Sequence, residues 1–437
     1  MFGTDSKKIE EKASEFIAKT QQISYAPITF ERGEGSILYD IEGKEYIDFL
    51  SSACSANLGH GNKEIAEAIS NQLENLTQYT YAYFNTSSPI QLAEKICSVT
   101  PGKDNKVLYS TTGSESIDAA IKLARAYTGR SKIISMSESY HGSTYGAVSV
   151  SALSLNMKRK IGPLLPEIYY FHYPNDIYDW EFCINEMKDA FEHYLPIEDV
   201  AAILIEPIAG DMGIIIPPIE WVQAIKNICE ENNVLLICDE IQMALCRTGK
   251  WFSIEHFGVD ADLYVMGKSL GGGLPLGAVV GRREILDSLN PPAHIFTLAA
   301  NTTVCAAALK NIEILERMDA NTVSKEKGEY VKSKFKNLRK KYDFIGDIRG
   351  LGLSIGVDII NPETGEKDPI ATAKICYKAL REGVVLIFLN KSTLRVQPPI
   401  VISEKEIDIA MDIIDKVMQE YKNGEIGDDV LEEIQGW

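Results

Sequence analysis

The chain has 437 residues, 45% of them hydrophobic, which is long for one average domain and enough for a sizeable core, so two domains are expected. A net charge of −18 supplies no basic field to neutralise a phosphate backbone or an anionic lipid, which argues against nucleic acid and membrane surfaces as partners. Eight cysteines without a CxxC pair and six histidines without ligand spacing point to reduced thiols rather than a disulfide framework or a metal site.

The chain opens with MFGTDSKKIEEKASEF, which has neither the apolar stretch of a signal peptide nor an arginine-rich transit character, so a cytoplasmic protein is expected. No apolar run is long enough to span a membrane. Residues 1–55 read as one charged helix and two short strands, SILYDIEG and KEYIDFL, joined by a glycine turn. Over residues 56–314, β-branched runs alternate with helical periods: KVLYS, SKIISM, EIYYF, VAAILIEP, VLLICDE, DLYVMG and GAVVG. Strands of this kind, apolar on both faces and separated by helices, predict an α/β domain with a mostly parallel sheet. Residues 315–437 give the helix TVSKEKGEYVKSKFKNLRKKY, a strand pair around IRGLGLSIGVDI, the strands GVVLIFL and TLRVQPP, and the closing helix EKEIDIAMDIIDKVMQEY. This segment is expected to form a smaller α+β domain together with the N-terminal strands.

Several strand ends carry chemistry. In DADLYVMGKSLGGGLPLGAVVG, Lys268 follows an apolar strand and precedes a glycine cluster. A Walker loop would need glycine where Asp262 stands, and the glycines lack the GxGxxG order of a dinucleotide turn. A lysine in partly apolar surroundings has a lowered pKa and serves as a Schiff-base nucleophile, although such a lysine taken alone is usually an ordinary surface side chain. VLLICDEIQ delivers Asp239 and Glu240 to another strand end, where a carboxylate either holds a pyridinium nitrogen protonated or caps a helix. VAAILIEPIAGDMG presents Glu206 and Asp211 in the same way. Gly113 and Ser114 precede an amphipathic helix, a phosphate seat or a simple cap. Tyr140 and His141, in SESYHGSTYG, offer a ring that stacks on a planar cofactor or merely packs.

Read in order, TTGSES, YHGSTYG, IEPIAGDMG, CDEIQ, RTGKW, MGKSLGGGLPLGAVVG, HIFTLAAN, GDIRGLGL and LRVQPP make the chain resemble the class III (omega) aminotransferases, a family of fold type I pyridoxal 5'-phosphate (PLP) enzymes, over nearly its whole length. The resemblance implies that Lys268 carries PLP as a Schiff base and that Asp239 pairs with its ring nitrogen. Gln242 would lie near the phenolic oxygen and Tyr140 against the ring, with His141 and Glu206 among the cofactor-binding set. Gly113 and Ser114 would take the phosphate. Thr297 would complete that seat in a neighbouring subunit, which implies a homo-oligomer, a dimer or a dimer of dimers. Arg395 would bind the substrate carboxylate, and Tyr81, with Tyr79, Tyr83 and Phe84, would line an apolar substrate pocket or pack at a subunit interface.

Three departures bear on specificity. DEIQMALCRTGK stands where the family often has DEVQTGFGRTGK, TLAANT replaces TYAGNP, and Asp211 replaces a glutamate usual in enzymes of the 4-aminobutyrate type. That aspartate, with ARAYTGR, SYHGSTYG, SLNMKRKIGP, PPAHIFT, LRVQPPIVI and a terminal Gly-Trp, makes the chain similar to a narrower branch, the amino-acid racemases and isoleucine 2-epimerases. The function expected is inversion of Cα in nonpolar, branched-chain amino acids, with Lys268 abstracting a proton from the substrate aldimine and Asp211 as the second acid/base or, alternatively, as a partner of Arg395. An omega-aminotransferase of the 4-aminobutyrate or ornithine type is the alternative. A non-catalytic PLP-fold binding protein is a third reading, weakened because every key residue is present.

Overall fold

The protein is described by a computed structural model covering residues 3–23 and 25–432, so the terminal Gly-Trp lies outside the described residues. The chain divides into two compact units, Met1–Lys63 with Ala320–Trp437, and Glu64–Asp319. The sequence limits were 55 and 314. The second of these falls inside the helix Thr302–Arg317, which the central unit keeps whole.

The N-terminal segment forms a helix, Thr4–Phe16, and three strands, β1 (Phe30–Glu34), β2 (Ile37–Asp40) and β3 (Glu45–Asp48). Only β2 and β3 were expected. β1 reads FERGE and is largely exposed, so it has no apolar alternation to announce it. Its ladder to β2 defines it, with the Arg32 guanidinium 3.4 Å from the centre of the Tyr39 ring.

The central unit is built on seven strands, one for each apolar run: β4 (Asn105–Ser110), β5 (Lys132–Met136), β6 (Ile168–Phe171), β7 (Val200–Ile205), β8 (Leu235–Asp239), β9 (Leu263–Met266) and β10 (Gly277–Arg282). They lie in the order β4-β10-β9-β8-β7-β5-β6, and β10 alone runs against its neighbours. Every residue of β7 and β8 is buried, because helices cover both faces of a parallel sheet. The helix Gly113–Thr128 lays Ile117, Ala120, Ile121 and Ala124 on the core at helical spacing. Each buried isoleucine there contributes roughly 1.5–3 kcal/mol. Thr112 caps its start by accepting from the Glu115 N–H at 3.2 Å, and left-handed Gly129, φ 69°, ends it. Since β4, β5, β7, β8 and β9 point the same way, their C-terminal ends gather along one edge of the sheet, where ligands of such folds bind.

The C-terminal segment contributes β11 (Ile345–Leu351), β12 (Ser354–Ile359), β13 (Val384–Val385), β14 (Ile387–Leu389) and β15 (Thr393–Val396). Four of them make an antiparallel sheet, β11-β12-β15-β14, while β13 pairs in parallel with β3. The run GVVLIFL, expected as one strand, is therefore two, divided at Leu386 so that its halves join different sheets. Helices Ala320–Arg339, Pro369–Glu382 and Glu404–Lys422 complete this unit, the last opened by a capping box in which Ser403 and Glu406 satisfy each other's backbone N–H.

Candidate active site

A cavity of about 480 Å³ opens at the gathered strand ends. Lys268, two residues past β9, lines it with φ 42°, a left-handed conformation that costs a non-glycine residue about 1–3 kcal/mol and persists only where the surroundings enforce it. Among the described residues no carboxylate pairs with its amine, in contrast to Lys132 or Lys378, each of which meets two.

Asp239, the last residue of β8, is buried with Oδ2 2.7 Å from His141 Nδ1, and its Oδ1 accepts from the Ile241 N–H at 3.0 Å. His141 is itself buried, and its Nε2 has no partner. The paired imidazole holds the carboxylate in place. Strand alternation sends the neighbouring Glu240 to the other side, where it accepts from the Ser253 N–H (2.9 Å), the Ser253 hydroxyl (2.8 Å) and the Ile254 N–H (2.8 Å). Burial pushes the Glu240 carboxyl up to about 7 against those bonds. Only Asp239 of the two faces the cavity.

Gly113 and Ser114 begin the helix after β4. A Cβ on Gly113 would stand 2.7 Å from Ile241 Cδ1, and one on Gly267 would stand 3.1 Å from Gly113 Cα. A larger residue at either position would force its neighbours to shift. Ser114 Oγ accepts from the Ser143 (2.7 Å) and Thr144 (3.1 Å) N–H groups, which docks the loop carrying Tyr140 and His141 onto the helix start. Glu206, just past β7, accepts from the Tyr140 and Gly210 N–H groups. Its carboxyl is pushed up to about 7, mainly by burial; nearby His141 opposes this and Asp239 adds to it. Gln242 lines the cavity and donates from Nε2 to Asp211 Oδ1 at 3.5 Å.

Lys268, Asp239, His141, Tyr140, Glu206, Gln242, Gly113 and Ser114 thus share one cavity. The other candidates do not line it. Asp211 is half-buried beyond Gln242. Thr297 is exposed, its carbonyl accepting from Gln78 Nε2 at 3.3 Å. Tyr81 lines a second cavity of about 440 Å³ with Tyr109, His294 and Phe296. Arg395 belongs to the other unit, buried on β15, with Nε donating to Gln397 Oε1 at 2.5 Å. The cavity also takes Gly142, Ser143 and Thr144, and the apolar Ile208, Ile241 and Met243, which sequence reasoning missed. The first three follow Tyr140 and His141 directly, whereas the apolar three look like any core position in the sequence.

The family described as Aminotransferase class-III matches residues 18–418. The chain belongs to the class III aminotransferase family. Within this family it is similar to a leucine/methionine racemase of Thermococcus litoralis, 39% identical over 98% of this chain and 99% of the relative. It is likewise similar to an isoleucine 2-epimerase of Lentilactobacillus buchneri, 40% identical over 96% of each chain. Among solved structures, an ornithine aminotransferase of Toxoplasma gondii, with PLP at partial occupancy in its active site, superposes with a TM-score of 0.85 at 27% identity over 95% of each chain. The architecture is that of a fold type I class III enzyme, an α/β sheet unit with a smaller companion.

Proposed function

We propose that this class III protein is a PLP-dependent amino-acid racemase or 2-epimerase that inverts Cα of nonpolar, branched-chain amino acids such as isoleucine. The observation that carries the reading is the likeness, across almost the entire chain, to two enzymes named for inversion of amino acids. The residues present fit PLP: an unpaired lysine, a buried carboxylate held by a histidine, and a glycine junction that a Cβ would fill all border one cavity. When bound, PLP supplies the electron sink that stabilises negative charge at Cα.

The chain's own groups do the rest. Lys268 would anchor the cofactor and, once freed, its amine would take a proton from Cα and return it on one face. Asp239, held in place by His141, would hold the ring nitrogen protonated, and Gln242 would take the phenolic oxygen. Tyr140 would flank the ring. The N–H groups at Gly113 and Ser114, with the positive end of their helix, would hold the phosphate. Inversion needs a second acid/base on the opposite face, and Asp211, separated from the cavity by Gln242, would deliver that proton through a water. The guanidinium fork of Arg395 would take the substrate carboxylate. Ile208 and Met243 give the cavity apolar walls, which suit a nonpolar side chain but separate substrates differing by one methylene by only about 1–3 kcal/mol, so breadth is expected.

Self-association belongs to the same reading. Tyr83 and Phe84 are 75% and 63% exposed, as are Ile295 and Leu298 at 47% and 59%, and the Gln78–Thr297 hydrogen bond joins the two segments. An apolar surface of this kind suits a second copy, into whose site Thr297 would reach, with Tyr81 nearby.

The test is solvent deuterium incorporation during incubation of L-isoleucine with the enzyme and PLP. The wild type should incorporate deuterium at Cα and invert. Asp211→Asn should keep the incorporation and lose inversion by a factor on the order of 10²–10⁴, and Lys268→Ala should lose both. Incorporation without inversion in the wild type would point to an aminotransferase.

A further inference from the structure

One carboxylate in this site grips two loops at once. Glu206 Oε1 accepts from the Tyr140 N–H at 3.0 Å, in the loop after β5, and Oε2 accepts from the Gly210 N–H at 2.9 Å, in the loop after β7. No lysine or arginine pairs with it among the described residues. Gly210 packs closely on Gln242, since a Cβ there would lie 2.6 Å from its Oε1. Its loop is closed by hydrogen bonds between Ala209 and Ile215 in both directions, and from the Gly213 and Ile214 N–H groups to the Gly210 carbonyl. The residue that follows Gly210 is Asp211. From below, the Tyr173 hydroxyl donates to the Glu206 and Pro207 carbonyls at 3.2 and 3.3 Å, fixing the backbone from which the carboxylate reaches.

We infer that Glu206 is a positioning residue that clamps the Tyr140 loop to the Asp211 loop, so that a ring lining the cavity and the carboxylate behind Gln242 are set by a single side chain. The assignment of Asp211 to proton transfer rests on the racemase reading; the clamp itself does not. Two backbone donors match the two oxygens of a carboxylate anion. On protonation one oxygen becomes a hydroxyl, a weaker acceptor for the N–H it faces, and the clamp loses the strength of that arm. The groups facing Glu206 are His141, which favours its charge, and Asp239 and Asp211, which oppose it, with Lys268 lining the same cavity. Together with burial they place the loss of that arm at about 7.

The full-length protein, with Tyr140 and Gly210 labelled for amide NMR, tests the clamp without reference to turnover. The two N–H resonances should titrate together near neutral pH, and Glu206→Gln, which keeps one acceptor oxygen, should abolish that shared titration and raise hydrogen exchange at one amide roughly tenfold or more while leaving the thermal midpoint nearly unchanged. Independent titration of the two amides, or a shared titration that survives in Glu206→Gln, overturns the clamp. In the racemisation assay the same variant should lose inversion more than Cα deuterium incorporation. An equal loss of both overturns the link from Glu206 to Asp211, whereas a wild type that fails to invert overturns the racemase reading and leaves the amide result standing.

Discussion

Asp239 and Glu240 are neighbours in the chain, and the alternation of a strand gives them separate tasks. Asp239 meets His141 at the cavity, while Glu240, with no exposed surface, ties the backbone at Ser253 and Ile254 to the sheet. Burial lifts the Glu240 carboxyl to about 7, so between its ordinary value and 7 the folded chain binds a proton that the unfolded chain has released. Its contribution to stability is therefore fully present below the ordinary carboxylate range and is lost as pH rises through about 7. Glu240→Gln removes this titration. Thermal unfolding followed from about pH 5 to about pH 8 should show a shallower decline in the variant than in the wild type. Parallel declines would mean that Glu240 does not titrate in this range.

At the scale of the element, the segment between β3 and the helix Lys63–Asn75 contains a turn that nothing in its sequence announces. Ser51, Ser52, Ala53 and Cys54 have φ of 46°, 50°, 53° and 69°, four consecutive left-handed residues without a glycine among them. L-residues in that conformation cost about 1–2 kcal/mol each. Asp48 Oδ1 holds the turn through the Leu50 and Ser51 N–H groups, both at 2.8 Å, and the Ser51 hydroxyl donates to the Gln397 carbonyl at 2.7 Å. Ser52 is exposed, so Ser52→Gly should relieve its share of the strain and stabilise the protein by about 0.5–1 kcal/mol after the added freedom of the unfolded chain is counted, read as a rise in the urea midpoint. A lower midpoint would show that the turn depends on the serine itself. This turn, β1 and the division of GVVLIFL were not legible, because each is decided by tertiary bonds rather than by a local pattern. The strands of the central sheet were legible for the opposite reason: inner strands such as β7 and β8, buried along their whole length, write unbroken apolar runs into the sequence.

For the whole molecule, the same parallel sheet explains which parts of the site could be read. Lys268, Asp239, Glu206, Tyr140, His141, Gly113 and Ser114 each follow a strand within a few residues, so strands running one way bring them to one cavity. Asp211 also follows β7, but further along its loop and behind Gln242; Thr297, Tyr81 and Arg395 sit away from these strand ends or on the other unit, where strand spacing carries no information, and the resemblance to a family was the only signal for them. The apolar walls at Ile208 and Met243 were invisible because a cavity wall and a core position have the same composition. The central claim is that this assembly inverts Cα rather than transferring an amino group. Purified protein and PLP should be incubated with L-isoleucine alone, with every 2-oxo acid removed, and the products resolved by chiral chromatography. Accumulation of D-allo-isoleucine over many turnovers is the predicted result; turnover that begins only when 2-oxoglutarate or pyruvate is added would contradict the claim and make the protein a transaminase.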